Sequence, residues 1–177
     1  MAVPILSGFE HKVVVGIADF AVSNNPSVIL TTYSLGSCLG ISIYDPVVKV
    51  AGLLHIMLPD SSIDTAKAAR SPAMFLDTGF PMLLKAAAEL RAESSRLQIC
   101  VAGGAQIMDS VGFFNIGKRN HVMMMDLLSR NALRLKAEEV GGMVNRTMHV
   151  HISSGDVVLK VSGNPKESYL CKNSTTI

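Results

Sequence analysis

No tryptophan occurs in this chain, and aromatic residues make up only 5% of it. That is too few to build the stacking platforms on which proteins hold single-stranded bases. An excess of one charge is missing too. Lys and Arg number 16 against 14 Asp and Glu, a formal net charge of +2, and no basic run is long enough to track a phosphate backbone. Nucleic acid is therefore not an expected partner. No stretch reaches the roughly 18 consecutive apolar residues that a membrane span requires. Met1 to Phe9 lacks the basic leading region and long apolar core of an export signal. The expectation is a cytoplasmic chain with no membrane insertion. The cysteines are few and far apart (Cys38, Cys100 and Cys171) and no CxxC spacing occurs. That argues against a disulfide framework or a zinc knuckle, and for a reducing compartment. His149 and His151 alternate as on one face of a strand, but no cysteine or paired carboxylate nearby completes a ligand set. No metal and no cofactor are expected.

What is present is apolar and patterned. Hydrophobic residues are 49% of the 177 and charged residues 17%, the balance of a packed protein rather than a disordered one. A chain of this length buries about 70% of the surface its unfolded form exposes. No repeat, low-complexity segment or linker divides it, so one domain over residues 1–177 is expected, with a core of about 12–161.

Periodicity predicts strands at both ends and helices between them. Lys12 to Phe20 reads as a valine-rich strand, followed by the turn signal Asn24-Asn25-Pro26. Val28 to Thr32 is β-branched almost throughout. Leu39 to Tyr44 and Val48 to His55 are separated by a link short enough for a hairpin. Pro59 to Arg70 is polar and reads as an exposed loop. From Pro72 to about Ala92 apolar residues recur at three- and four-residue steps, as on an amphipathic helix, although Gly79-Phe80-Pro81 predicts a late start or a kink. Leu97 to Ala102 reads as a strand running into Gly103-Gly104-Ala105. A second helix is predicted over Gly117 to Asn131, with Val122, Met125, Leu127 and Leu128 inward. Strands follow at Arg134 to Val140, Thr147 to Ile152 and Val157 to Val161, and the polar tail from Asn164 to Ile177 reads as loosely held. This order favours an α+β layered domain over a regular parallel βαβ sheet.

The stretch with most chemistry is Thr32-Tyr-Ser-Leu-Gly-Ser-Cys38-Leu-Gly40, followed by His55 in Gly52-Leu-Leu-His55. A free thiol, with a pKa of roughly 8.5, is only slightly ionised at neutral pH. An imidazole within reach takes its proton and later returns it to a leaving group. Gly36 and Gly40 are expected to let backbone approach a substrate and to adopt dihedrals other residues avoid. The hairpin would carry His55 back toward Cys38. Taken singly, each residue has a plainer reading. Free cysteines are usually buried and inert, a histidine in an apolar run is more often a satisfied core residue, and Thr32 alone is an ordinary strand threonine. The pairing of Cys38 with His55 favours chemistry.

These segments also carry a family resemblance. Leu35-Gly-Ser-Cys38, Tyr44-Asp-Pro46, Leu54-His-Ile-Met-Leu-Pro59, Gly103-Gly-Ala105, Ile116-Gly-Lys-Arg-Asn120 and Gly141-Gly142 with Arg146 stand in the order and spacing of the bacterial chemoreceptor glutamine deamidases, the CheD family, which the chain resembles from about Val13 to Lys160. The resemblance implies a mixed β-sandwich flanked by helices, like the catalytic domain of toxin-type cysteine deamidases. It implies hydrolysis of selected glutamine side chains on methyl-accepting chemotaxis receptors to glutamate, with release of ammonia. It places the nucleophile on Cys38, the histidine on His55 and the threonine that orients the ring on Thr32. For such a nucleophile the backbone N–H groups around Gly36, Ser37 and Leu39 are the expected oxyanion donors. The resemblance also implies a CheC-type phosphatase as a second partner. Asn145 departs from the family, which more often has glycine before Arg146. Two other readings stay open: a non-catalytic adaptor that binds receptor or phosphatase helices, and a thiol hydrolase acting on another amide or ester.

Overall fold

β-Branched and aliphatic residues at alternating positions build two five-stranded sheets. A computed structural model of the chain describes residues 10–106 and 115–173. Met1 to Phe9 and the end of the tail, 174–177, lie outside the described residues. In chain order the elements are β1 (His11–Val14), β2 (Asp19–Ser23), β3 (Val28–Leu35), β4 (Leu39–Asp45), β5 (Val50–Ile56), α1 (Thr65–Arg70), α2 (Leu76–Glu89), β6 (Gln98–Gly103), α3 (Ile116–Arg130), β7 (Leu135–Val140), β8 (Arg146–His151), β9 (Val157–Val161) and β10 (Ser168–Cys171). One sheet runs β1-β3-β8-β9-β10 and the other β2-β5-β4-β6-β7. β1 lies parallel to β3 and β6 to β7, and the remaining pairs are antiparallel.

The period of two sorts the side chains into two cores. Leu30, Leu35, Leu53, Ala102, Met148, Val150 and Leu159 fill the space between the sheets. Leu39, Ile41 and Ile43 of β4, with Leu54 and Ile56 of β5, pack on the other side against Leu76, Phe80 and Leu83 of α2 and Met124 and Leu128 of α3. The second sheet is thus covered on both faces, which is why every residue of β4 and β5 is buried. This is the α+β layered architecture expected.

Several boundaries differ from the sequence reading, each for a physical reason. Lys12 to Phe20 is two strands in different sheets. The chain turns at Ala18, whose φ is 60°, and crosses the sandwich between β1 and β2. The polar loop over Pro59 to Arg70 contains α1, capped by the Asp64 carboxylate accepting from Lys67 N. The helix after Pro72 does start late, at Leu76. On α3, Val122 is 58% and Met125 40% exposed, while Gly117, Asn120, Met124 and Leu128 face inward. The tail is not loose throughout, because β10 adds to β9 as an antiparallel edge strand.

Candidate active site

β3 of one sheet and the β4–β5 hairpin of the other bring Thr32 and His55 into contact and set Cys38 at the start of the hairpin. The hairpin is antiparallel, with Gly40 opposite His55 and Leu39 opposite Ile56. Cys38 lies two residues before Gly40, so the strand period turns both toward the space between the sheets. There Cys38 packs against the inter-sheet core. Gly40 serves by leaving space: a Cβ there would come within 2.7 Å of a Leu35 methyl. The left-handed residue on this approach is Ser34, φ 58°, and not Gly36 or Gly40 as expected from sequence.

Thr32 reaches across the sandwich. Its Oγ1 stands 2.7 Å from His55 Nδ1 and donates to Val15 O at 2.8 Å. A hydroxyl has one proton. Because that proton goes to Val15, the bond to the ring is donated by Nδ1–H, and the lone pair of the neutral imidazole sits on Nε2. His55 Nε2 is buried and has no partner among the described residues. Burial also opposes charge on the ring, pushing its pKa down to about 4. Burial pushes the Cys38 thiol up, partly offset by the hydrogen bond from its own backbone N–H. Burial thus favours a neutral thiol at Cys38 and a neutral ring at His55, and no hydrogen bond joins Cys38 to Nε2 among the described residues.

The backbone around Cys38 is held from three sides. Gly104 N donates to Cys38 O at 2.8 Å, and Ala105 N donates to Gly36 O at 2.7 Å. Gly103, at φ +115°, approaches so closely that a Cβ would lie 2.2 Å from Cys38 O. From α3, the Asn120 amide donates to Ser37 O at 3.0 Å and to Met57 O at 2.9 Å. Of the expected oxyanion donors, Gly36 N–H is engaged with Ser34 O, and Leu39 lies inside the ladder between Ile56 and Gly103. Among the described residues no backbone carbonyl takes the Ser37 N–H, and the Cys38 N–H is turned to its own sulfur.

Sequence reasoning missed Asn120 as part of the site, and Val15 as the partner that fixes the threonine. A polar residue on the buried stripe 117, 120, 124 and 128 of α3 was the available signal for Asn120. His149 is placed elsewhere. It hydrogen-bonds Thr31 at 2.9 Å, on the opposite side of β3 from Thr32, so adjacent threonines hold one histidine on each face. Asn145 lines a cleft with Ser34, Arg146 and Lys160, while Arg146 is tied to Glu139 and to Gly141 O. Among the described residues, no group of three or more His, Cys, Asp or Glu is placed to hold a metal. No helix among them is long and apolar enough to cross a membrane.

Comparison with known proteins bears on this arrangement. A family model described as CheD chemotactic sensory transduction matches residues 57–161. The chain is 49% identical over 153 residues to a probable chemoreceptor glutamine deamidase CheD 1 of Syntrophus aciditrophicus, covering 86% of this chain and 96% of that protein. It is 44% identical over 157 residues to a probable chemoreceptor glutamine deamidase CheD of Solibacter usitatus, covering 89% and 93%. A protein of the same description from Thermococcus kodakarensis is 38% identical over 157 residues, covering 88% and 96%.

Proposed function

Because this chain belongs to the CheD family, we propose that it is a chemoreceptor glutamine deamidase, with Cys38 as nucleophile, His55 as the acid and base, and Thr32 as the residue that orients the ring. The observation that carries this reading is the single Thr32 hydroxyl shared between Val15 O and His55 Nδ1. It leaves a buried lone pair on Nε2, which a structural histidine has no need of and a base requires.

A primary carboxamide is a poor electrophile with a poor leaving group. As the glutamine carbonyl carbon approaches Cys38, the thiol proton passes to His55 Nε2 and the C–S bond forms. The carbonyl oxygen takes the negative charge, and the Ser37 and Cys38 N–H groups receive it; one such donor is worth about 10²–10³ in rate. The imidazolium returns its proton to the nitrogen, the C–N bond breaks and ammonia leaves, giving a thioester. Water then gives a proton to Nε2 and attacks the thioester carbon. Collapse releases glutamate and restores the Cys38 thiol. The Nδ1–H bond to Thr32 holds the same ring face toward the reacting atoms through both halves.

The substrate is the cytoplasmic helical region of a methyl-accepting chemotaxis receptor, which places the protein in the cytoplasm. Each turnover adds a negative charge to a receptor helix, changing its balance of repulsion. A CheC-type phosphatase is the second proposed partner. The test is mass spectrometry of receptor peptides after co-expression with wild type or Cys38→Ala. The expected result is the mass gain of replacing NH₂ by OH at defined glutamines, present with wild type and absent with the variant. No gain with either protein, while receptor binding persists, would support an adaptor instead.

A further inference from the structure

The two ends of the reacting pair converge on one side chain outside it. Asn120 is fully buried, yet it is polar and sits on α3, away from both reacting strands. The helix descends far enough for contact because of Gly117. A Cβ at that position would stand 2.3 Å from Gly104 O, so any larger residue lifts the helix off the Gly103–Ala105 turn. At this depth the Asn120 side-chain nitrogen meets Ser37 O and Met57 O. Two carbonyls accept and neither donates, so the amide has only one satisfactory orientation, with its NH₂ toward both.

Ser37 C=O and Cys38 N–H belong to the same peptide unit. In a trans peptide these two groups point in opposite directions, and the chain has no cis bonds among the described residues. Pinning the carbonyl therefore aims the N–H. The second bond ties the same amide to Met57, two residues beyond His55, so the nucleophile's peptide and the base's strand share one anchor.

We propose that Asn120 is a positioning residue for the deamidation read above: by clamping Ser37 O it directs the Cys38 N–H at the sulfur and at the place where the oxyanion forms. This inference rests on the deamidase reading for its substrate, but not for its geometry. Without the clamp the peptide plane is free to rotate, the thiolate loses the hydrogen bond of its own N–H, and the oxyanion loses a donor. The bond matters most when charge is present, so its loss affects the chemical step rather than substrate binding.

The test uses the full chain carrying Asn120→Asp or Asn120→Leu. Asp keeps the shape but leaves at most one O–H donor for two carbonyls; Leu removes the donor and also the unpartnered Oδ1. Cys38 alkylation by iodoacetamide is followed by peptide mass across a pH series, separately from Cys100 and Cys171. The deamidation kcat and KM are measured on a receptor cytoplasmic domain. We expect both variants to fold, the alkylation midpoint of Cys38 to move to higher pH, and kcat to fall about 10²-fold with KM unchanged within about twofold. Folded variants with the wild-type midpoint and kcat would overturn the proposal. So would loss of the fold in both, since Asn120 would then have no effect on Cys38 separable from stability. Alkylation needs no receptor. If wild type leaves receptor glutamines unchanged, the deamidase reading fails while the midpoint comparison still decides the role of Asn120.

Discussion

Thr32→Val exchanges a hydroxyl for a methyl of nearly equal shape at a position with no exposed surface. Two hydrogen bonds disappear, leaving Val15 O without its donor and His55 Nδ1–H without its acceptor. Each buried polar group left unpaired costs about 1–3 kcal/mol, and the added methyl returns about 0.8 kcal/mol. The net loss of stability is about 1–5 kcal/mol, read as a lower urea midpoint at constant slope. The effect on turnover is separate. Without an acceptor at Nδ1 the ring is free to rotate and to place its proton on Nε2, where it blocks base catalysis. A lost orienting bond of about 1.4–2.8 kcal/mol corresponds to a ten- to hundredfold fall in kcat. Thr32→Ser keeps the hydroxyl and should stay within about threefold of wild type. Imidazole nitrogen NMR reads the tautomer directly, and receptor-peptide mass spectrometry reads kcat. A valine variant that retained both the protonated Nδ1 and wild-type turnover would refute the reasoning.

Four further outcomes are expected from the same geometry. Burial depresses His55 from the ordinary 6.5 to about 4, so the acid limb of kcat/KM should lie near pH 4; a limb near pH 6.5 would mean the ring is not desolvated in the working enzyme. The same shift links pH to stability. Between pH 6.5 and about 4 the unfolded chain binds a proton at this histidine that the folded chain refuses, so folding weakens as pH falls, by roughly 3 kcal/mol across the window. His55→Gln should remove that share of the slope in urea titrations, while the share from His149, which burial also lowers, should remain. Gly103→Ala would drive a Cβ into Cys38 O; the expected outcome is a lower melting temperature and at least a tenfold loss of turnover, and wild-type values for both would show that the turn yields easily. Cys38→Ala, with its half-buried side chain, should melt near wild type and yet leave receptor glutamines unchanged.

The hairpin was the legible part of the site. Its short link and two apolar runs were enough to predict antiparallel pairing, and the observed register places Gly40 opposite His55. The glycine-framed cysteine was legible as chemistry, whereas the dihedrals were not: Gly40 provides space and the left-handed turn falls on Ser34. The crossing between β1 and β2 was not legible, because a valine-rich run looks the same whether it stays in one sheet or changes sheets at Ala18. That crossing delivers Val15 O to Thr32, so the fixed tautomer could not be read from sequence. The inward face of α3 was obscured by Met123-Met124-Met125, which offers an apolar residue to any helical phase. β10 was missed because four residues, set in a polar tail and pairing at a sheet edge, are too few to show a hydrophobic alternation.

The 2.7 Å contact between Thr32 and His55 joins residues from different sheets, and so it acts as a caliper across the sandwich. Leucine and methionine side chains in that layer tolerate a slip of about half an ångström, whereas a hydrogen bond stretched by that amount beyond 3 Å has lost most of its strength. Catalytic competence is therefore set by a tighter mechanical tolerance than folding is. On warming, activity should fade before the melting transition begins. A partner that squeezes or spreads the two sheets gains a throttle on the enzyme without ever entering its cleft.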